Sequence, residues 1–140
     1  AQLIHGANYF KQANKNITTF AMIETKQAVE NLDEILSVPN LTGVYIGPAD
    51  MSSSYGLPPK FDVREDPVFS NIKLIAERAK KFGKIAGIHN GSTKYAKEMI
   101  TLGYKFVTIL SDFRVMSSHS QQIIDEMKNQ LKDNFNSSTY

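Results

Sequence analysis

Two carboxylates, each placed close after an apolar segment, are the side chains of this sequence best suited to chemistry. Glu24 ends the run Ile17–Glu24, and Asp50 lies three residues beyond Gly47, where the run Gly43–Gly47 ends. A carboxylate at the end of a buried segment is costly unless a cation or hydrogen-bond donors compensate it. Because Mg²⁺ and Mn²⁺ prefer oxygen ligands, the pair predicts a divalent-metal site. The alternative is that both acids only stabilise helix N-termini.

Other residues near these carboxylates are candidates for binding and proton transfer. The segment Gly47–Ser52 can present successive backbone N–H groups to an anion, although a tight strand-to-helix turn explains the same residues. His89 follows another apolar run, and it is either an acid or base or a structural hydrogen-bonding residue. Asp112 is a weaker candidate because it can also cap the last helix.

Four short apolar runs alternate with amphipathic segments, a pattern typical of an α/β fold with a parallel sheet. The predicted strands are Ile17–Glu24, Gly43–Gly47, Lys84–Ile88 and Phe106–Leu110. The predicted helices are the end of an earlier helix within Ala1–Asn14, then Thr25–Ser37, Asp66–Phe82, Ser92–Leu102 and Ser117–Asn134. We expect a long loop over Pro48–Glu65, one domain over residues 1–135 and a disordered tail over residues 136–140.

Parallel strands bring their carboxyl ends to one edge of a sheet, where binding sites form. We therefore expect Glu24, Gly47–Asp50, His89–Asn90 and Ser111–Asp112 to share one neighbourhood. Four parallel strands leave two exposed edges, which promote association. Three arrangements remain open: the chain pairs with another half, an N-terminal half precedes it, or it is a small open α/β domain.

Composition excludes several classes of protein. The 140 residues include no cysteine, so disulfides, thiolate metal sites and cysteine nucleophiles are ruled out. A formal net charge of +2, with Lys and Arg scattered along the chain, does not indicate nucleic acid as a partner. No apolar run approaches the roughly 18 residues of a membrane span, and no secretory signal is visible, so we expect a cytoplasmic protein that does not enter membranes.

Several sequence blocks, in their order and spacing, resemble the HpcH/HpaI aldolases, relatives of 4-hydroxy-2-oxoheptanedioate and 2-keto-3-deoxy-sugar-acid aldolases. The blocks are Ile23-Glu24-Thr25, Ala28–Ile35, Gly43–Ser52, Gly83–Ile88 and Leu102–Val107, and the similarity extends from about Tyr9 to Lys128. The resemblance implies a (β/α)₈ TIM barrel of the phosphoenolpyruvate/pyruvate type. Such a barrel has about 250 residues, and this chain would supply its strands five to eight.

The same resemblance implies roles for individual residues. Glu24 and Asp50 would hold a divalent metal, Mg²⁺ or Mn²⁺, with Co²⁺ as a further candidate. Backbone amides around Ala49 and Asp50 would bind the pyruvate carboxylate, in a substrate pocket formed by Gly47, Pro48, Ala49, Asp50 and Met22. Met22 stands where some relatives carry a glutamine, so the aldehyde that is accepted need not be the same. No lysine Schiff base is involved, so Lys26 need not act as a nucleophile.

The activity implied by the resemblance is reversible retro-aldol cleavage of a 2-oxo acid to pyruvate and an aldehyde, through a metal-stabilised enolate. The catalytic His and the substrate-polarising Arg of the family lie in the N-terminal half of the barrel, and neither His89 nor Arg64 matches them. We therefore expect weak or no activity from this chain alone. One alternative is a non-catalytic half-barrel that binds a metal or a small acid, or only assembles. An open flavodoxin-like receiver domain fits poorly, because Ile88-His89 stands where a receiver needs an aspartate.

The resemblance also implies assembly. Family members form hexamers in which the last helix is swapped onto a neighbouring barrel, so a homo-oligomer is expected. An apolar stripe on the last predicted helix would be buried in that contact, although packing on its own barrel explains the stripe equally well. The stripe consists of Ile123, Ile124, Met127 and Leu131.

Overall fold

The computed structural model describes residue 4 and residues 6–137, with side chains described as far as residue 129. Its contacts divide the chain into two compact units, residues 1–108 and residues 109–140. The expectation of one domain over residues 1–135 stays a prediction. Of the predicted tail, residues 136 and 137 continue the last helix, and residues 138–140 lie outside the described part. Within the described residues, no helix is long and apolar enough to cross a membrane.

Four strands and seven helices are described, in the alternation that the sequence predicts. The strands are β1 (Phe20–Ile23), β2 (Gly43–Ile46), β3 (Ile85–Asn90) and β4 (Phe106–Ile109). The helices are α1 (Tyr9–Asn16), α2 (Lys26–Glu30), α3 (Leu32–Ser37), α4 (Pro48–Ser54), α5 (Val68–Lys81), α6 (Thr93–Thr101) and α7 (Asp112–Ser137). The strands lie in the order β1-β2-β3-β4, and β1, β2 and β3 pair in parallel. The predicted α/β fold with a parallel sheet is confirmed.

The sheet buries one face against helices and keeps the other for the candidate site. Ile23, Ile46 and Ile88 stand side by side in the strand register and are completely buried, in one core with Ile72 and Ile75 of α5. Side chains alternate between the two faces of a strand. The residues that follow these three isoleucines therefore belong to the opposite face.

Helix α4 occupies the first part of the segment that the sequence analysis assigned to a loop. Pro48 fits the first helical turn because its missing N–H has no partner to lose there. The hydroxyl groups of Ser52 and Ser53 donate to the carbonyl oxygens of Pro48 and Ala49, at 2.7 and 3.1 Å. Burial of Met51 adds tertiary stabilisation. The loop prediction over Pro48–Glu65 was wrong in this part because helix propensity alone does not report that burial.

Other boundaries differ by a few residues. The predicted helix Thr25–Ser37 is interrupted at Asn31, which ends α2 and precedes α3. Strand β3 continues through His89 and Asn90, which the sequence analysis placed after its end. Helix α7 begins at Asp112, five residues earlier than predicted, and Asp112 Oδ1 accepts a hydrogen bond from the backbone N–H of Phe113 at 2.7 Å. Strand β1 begins at Phe20, three residues later than predicted.

Tyr104 lies between α6 and β4, and its side chain binds this segment to α5. Its side chain is 2% exposed, and its hydroxyl group donates to the carbonyl oxygen of Ile72 in α5 at 2.7 Å. Tyr104→Phe removes that donor without changing the ring, so we expect the free energy of unfolding to fall by about 1 kcal/mol. Urea denaturation monitored by circular dichroism measures the change, and an unaltered midpoint would contradict the prediction.

Candidate metal and substrate site

Glu24 and Asp50 approach each other across Gly47. A Cβ atom built on Gly47 would lie 3.0 Å from Glu24 Oε2 and 3.4 Å from Asp50 Oδ2. The two carboxylate oxygens are therefore at most 6.4 Å apart, the sum of these two distances. A cation bound to both oxygens at about 2.1 Å needs them within about 4 Å of each other, a distance that side-chain rotation can supply. The missing side chain of Gly47 keeps the space between the carboxylates open.

The hard oxygen donors of this pair suit Mg²⁺ or Mn²⁺. Across the described residues, no three or more His, Cys, Asp and Glu side chains are grouped so that they could hold a metal ion. Protein would thus contribute two ligands, and water or substrate oxygens would have to complete the coordination. Open coordination of this kind is typical of a metal ion that binds substrate.

The alternative role of these acids, at helix N-termini, fits Asp50 more closely than Glu24. Asp50 lies in the first turn of α4, where a negative charge is favourable. Glu24 instead precedes Thr25, and the hydroxyl group of Thr25 caps α2 by accepting from the N–H of Ala28 at 3.1 Å. Glu24 is half-buried and is not the residue that caps the helix. Its position is therefore not explained by helix capping.

A cavity of about 250 Å³ is lined by Asp50 and Gly47, and Glu24 approaches Gly47 without lining the cavity. The cavity brings together all five residues predicted to bind substrate, and three that the sequence analysis did not assign to the pocket. The lining residues are Met22, Tyr45, Gly47, Pro48, Ala49, Asp50, Phe61 and His89. The backbone N–H groups of Ala49 and Asp50 donate to no acceptor in the described part of the chain, as expected in the first turn of a helix. They are available to an anionic ligand.

His89 is held by a chain of hydroxyl groups. Its Nδ1 atom lies 2.9 Å from Thr108 Oγ1, and Thr108 Oγ1 is also hydrogen-bonded to the Tyr45 hydroxyl group. The buried Asn90 donates from Nδ2 to the carbonyl oxygen of Thr108 at 2.9 Å, which fixes Thr108 beside β3. The imidazole orientation is thus determined by residues of three strands.

The segment between α4 and α5 carries Phe61 to the cavity and is anchored at several points. Asp62 Oδ1 accepts from the N–H of Gly91 at 2.7 Å, just after β3. Arg64 forms a two-bond ion pair with Glu98 of α6, with N–O distances of 2.9 and 2.6 Å. The hydrogen bonds from the guanidinium lower the pKa of the Glu98 carboxyl. A hydrogen bond from Lys60 likewise lowers the pKa of Glu65 to about 2.

The residues that the sequence analysis missed are Tyr45, Phe61 and Thr108. For Tyr45 and Thr108 a signal was present, because strand alternation places them on the face opposite the buried isoleucines. Phe61 lies in an irregular segment, and no periodicity in the sequence predicts the path of such a segment. Ser111 and Asp112 belong to the second unit, so their membership of the site remains a prediction.

Comparison with known proteins identifies the family of this chain. The family model described as HpcH/HpaI aldolase/citrate lyase matches residues 3–118. The chain belongs to this family. The resemblance stated from the sequence blocks is thereby confirmed.

Two curated relatives in the HpcH/HpaI family are named as aldolases. The chain is 39% identical over 126 residues to a hydroxypyruvate/pyruvate aldolase of Rhizorhabdus wittichii, covering 90% of this chain and 50% of the relative. It is 34% identical over 122 residues to a 5-keto-4-deoxy-D-glucarate aldolase of Escherichia coli, covering 87% and 47%. The chain therefore spans about half the length of the curated relatives that it matches.

Solved structures of HpcH/HpaI proteins share the fold. A family member from Burkholderia cenocepacia superposes with a TM-score of 0.79 at 23% identity, covering 87% of this chain and 47% of that one. A citrate lyase β subunit from M. tuberculosis, solved with oxaloacetate and magnesium, superposes with a TM-score of 0.58 at 16% identity, covering 69% and 48%. These likenesses support an α/β fold of the TIM-barrel type with a parallel sheet.

Proposed function

We propose that this chain is the metal-binding half of a carbon–carbon lyase that cleaves 2-oxo acids to pyruvate and an aldehyde, and also joins the two. The observation that carries the proposal is the approach of Glu24 and Asp50 across Gly47, beside a cavity, in a family whose matched relatives are named as aldolases. The chain would supply strands five to eight of a (β/α)₈ barrel. Its coverage of about half of each relative supports a half-barrel, and the assignment to strands five to eight rests on the resemblance of the sequence blocks.

Glu24 and Asp50 are the residues that would hold the divalent metal, Mg²⁺ or Mn²⁺. A bound cation would polarise the 2-oxo group as a Lewis acid and stabilise the charge that develops when the carbon–carbon bond breaks. The magnesium present with oxaloacetate in the citrate lyase β subunit supports this choice for a protein of the same fold.

The remaining residues of the pocket would bind and orient the 2-oxo acid. The backbone N–H groups of Ala49 and Asp50 would form an anion site at the start of α4, and this site suits the substrate carboxylate. Met22 and Pro48 provide apolar contacts and reduce access of water. Met22 is 50% exposed, so half of its surface stays available for contact with substrate.

The activity of this chain alone is expected to be low. The resemblance places the proton-transferring His and the substrate-polarising Arg of the family in an N-terminal half. A non-catalytic module that binds a metal or a small acid is therefore the second candidate. The observation that favours it is that the described residues provide two acidic ligands and no third ionisable ligand beside them.

Helix α7 is proposed as an oligomer contact, and a swapped C-terminal helix is one form of it. Three of the four predicted stripe residues, Ile123, Ile124 and Met127, are 50%, 46% and 55% exposed. Exposed apolar side chains along one helix favour association with another chain. The side chain of the fourth, Leu131, lies outside the described part.

Exchange of the pyruvate methyl protons with deuterium, followed by ¹H NMR with Mg²⁺ in D₂O, tests the proposal. We expect exchange faster than with Mg²⁺ alone, because binding of the 2-oxo acid at the metal acidifies these protons. Retro-aldol turnover should stay weak. Exchange no faster than the Mg²⁺ blank would overturn the lyase assignment and favour the second candidate, the non-catalytic binding module. Rapid aldol turnover by the chain alone would contradict the expectation that residues of an N-terminal half are required.

A further inference from the structure

His89 has one ring nitrogen committed to the protein and one that is not. Nδ1 is hydrogen-bonded to Thr108 Oγ1, and Nε2 has no hydrogen-bond partner in the described part of the chain. The ring is half-buried and lines the cavity beside Asp50. The edge-to-face contact with Phe61, at 5.1 Å between ring centroids, restricts rotation of the imidazole. A ring fixed on one side with a free polar atom on the other is a candidate ligand contact.

The hydroxyl chain holds one ring nitrogen of His89 and leaves the other for a ligand. Thr108 Oγ1 contacts both the Tyr45 hydroxyl group and His89 Nδ1. Each direction of donation along these contacts leaves one proton without an acceptor in the described part of the chain, either the phenol proton or the proton of Nε2. In both tautomers Nδ1 is engaged by Thr108, and Nε2 is left to donate to a ligand hydroxyl group or to accept from one.

The position of His89 in the sheet indicates which part of a bound ligand its side chain would contact. Ile23, Ile46 and Ile88 are register partners, and the residues that follow them are Glu24, Gly47 and His89. Neighbouring strands lie about 4.8 Å apart, so the backbone of His89 is about 10 Å from that of Glu24. Asp50 lines the cavity together with His89 and Phe61, and the Glu24 carboxylate approaches Asp50 across Gly47.

We propose that His89 Nε2 is a specificity-determining hydrogen-bonding group that binds a hydroxyl group of the substrate beyond its 2-oxo acid group. This inference rests on the proposed function, because the pyruvyl part must occupy the side formed by Glu24, Asp50 and α4. The ligand class selected is a 2-oxo acid with a hydroxyl group on the carbon chain past C3. Among the described residues, His89 does not group with Glu24 and Asp50 into a set that could hold a metal ion, so Nε2 is left for an oxygen of the ligand.

The test compares two ligands that share their first three carbons, pyruvate and a six-carbon 2-keto-3-deoxy sugar acid. Dissociation constants are measured by calorimetry with Mg²⁺ on the whole chain and on two variants. His89→Leu removes the hydrogen-bonding group, and His89→Gln keeps an amide group near the place of Nε2. We expect His89→Leu to weaken binding of the sugar acid about fivefold or more and to leave pyruvate binding unchanged. His89→Gln should retain most of the affinity for the sugar acid.

Long-range ¹H–¹⁵N NMR spectra of the imidazole give an independent readout, since they distinguish a protonated from an unprotonated ring nitrogen. We expect the Nε2 resonance to shift when the sugar acid binds and to stay nearly unchanged with pyruvate. An Nε2 resonance that the sugar acid does not shift, or equal loss of both ligands in His89→Leu, would overturn the assignment of His89 alone. Failure of pyruvate to bind to the unmodified chain would overturn the proposed function, and the role of His89 with it.

Discussion

Glu24→Gln is expected to lower the affinity of the chain for Mn²⁺ at least about 100-fold. Changes to residues that only support metal ligands already cost 10- to 100-fold, and loss of a direct ligand costs at least as much. Glutamine keeps the length of the side chain and removes its charge, so the geometry around Gly47 is preserved. Among the described residues no third ionisable side chain groups with Glu24 and Asp50, so loss of either would remove half of the proposed protein ligands.

Electron paramagnetic resonance of free Mn²⁺ measures this affinity directly. Asp50→Asn should give a loss of similar size, because its oxygen stands across Gly47 from that of Glu24. The matched control is Glu34→Gln, the same change at an exposed position of α3, and it should bind Mn²⁺ like the unmodified chain. If Glu24→Gln and Glu34→Gln bound Mn²⁺ equally well, the metal would have to lie elsewhere.

Gly43→Ala is expected to destabilise the fold by at least about 3 kcal/mol, or to prevent folding. A Cβ atom at Gly43 would lie 2.1 Å from the backbone oxygen of Ile85 and 2.8 Å from a ring carbon of Phe20. The Ile85 oxygen belongs to β3, the strand paired with β2, so it cannot retreat without separating the two strands. Relief of the clash would open the middle of the sheet.

Gly56→Ala is the matched control for this change. Nothing lies within 4 Å of a Cβ built there, and the only cost is the positive φ of 75°, worth about 1 kcal/mol. Urea denaturation of the two variants separates steric exclusion at Gly43 from backbone strain at Gly56. Equal midpoints for both would contradict the proposed close approach of β2 and β3.

Strand and helix order was predictable from the sequence because each element has its own short-range signal. The apolar run that ends at Glu24 marked β1, and Ser92 marked the start of α6, where its hydroxyl accepts from the N–H of Tyr95 at 3.2 Å. Gly103 marked the end of that helix and has the positive φ of 106° expected there. Helix α4 was missed because its stability depends on burial of Met51, a tertiary contact.

The sequence by itself determined the parallel α/β order, the family and the identity of the two carboxylates, since these depend on local periodicity and short motifs. Only the tertiary structure decided that both carboxylates border Gly47 and that the Phe61 ring contacts the His89 ring. It also decided that Thr108 and Tyr45 hold the imidazole through hydrogen bonds. Tyr45 and Thr108 are 63 residues apart in the chain. Contacts over such separations depend on strand register and on the path of irregular segments, and no local pattern encodes either of them.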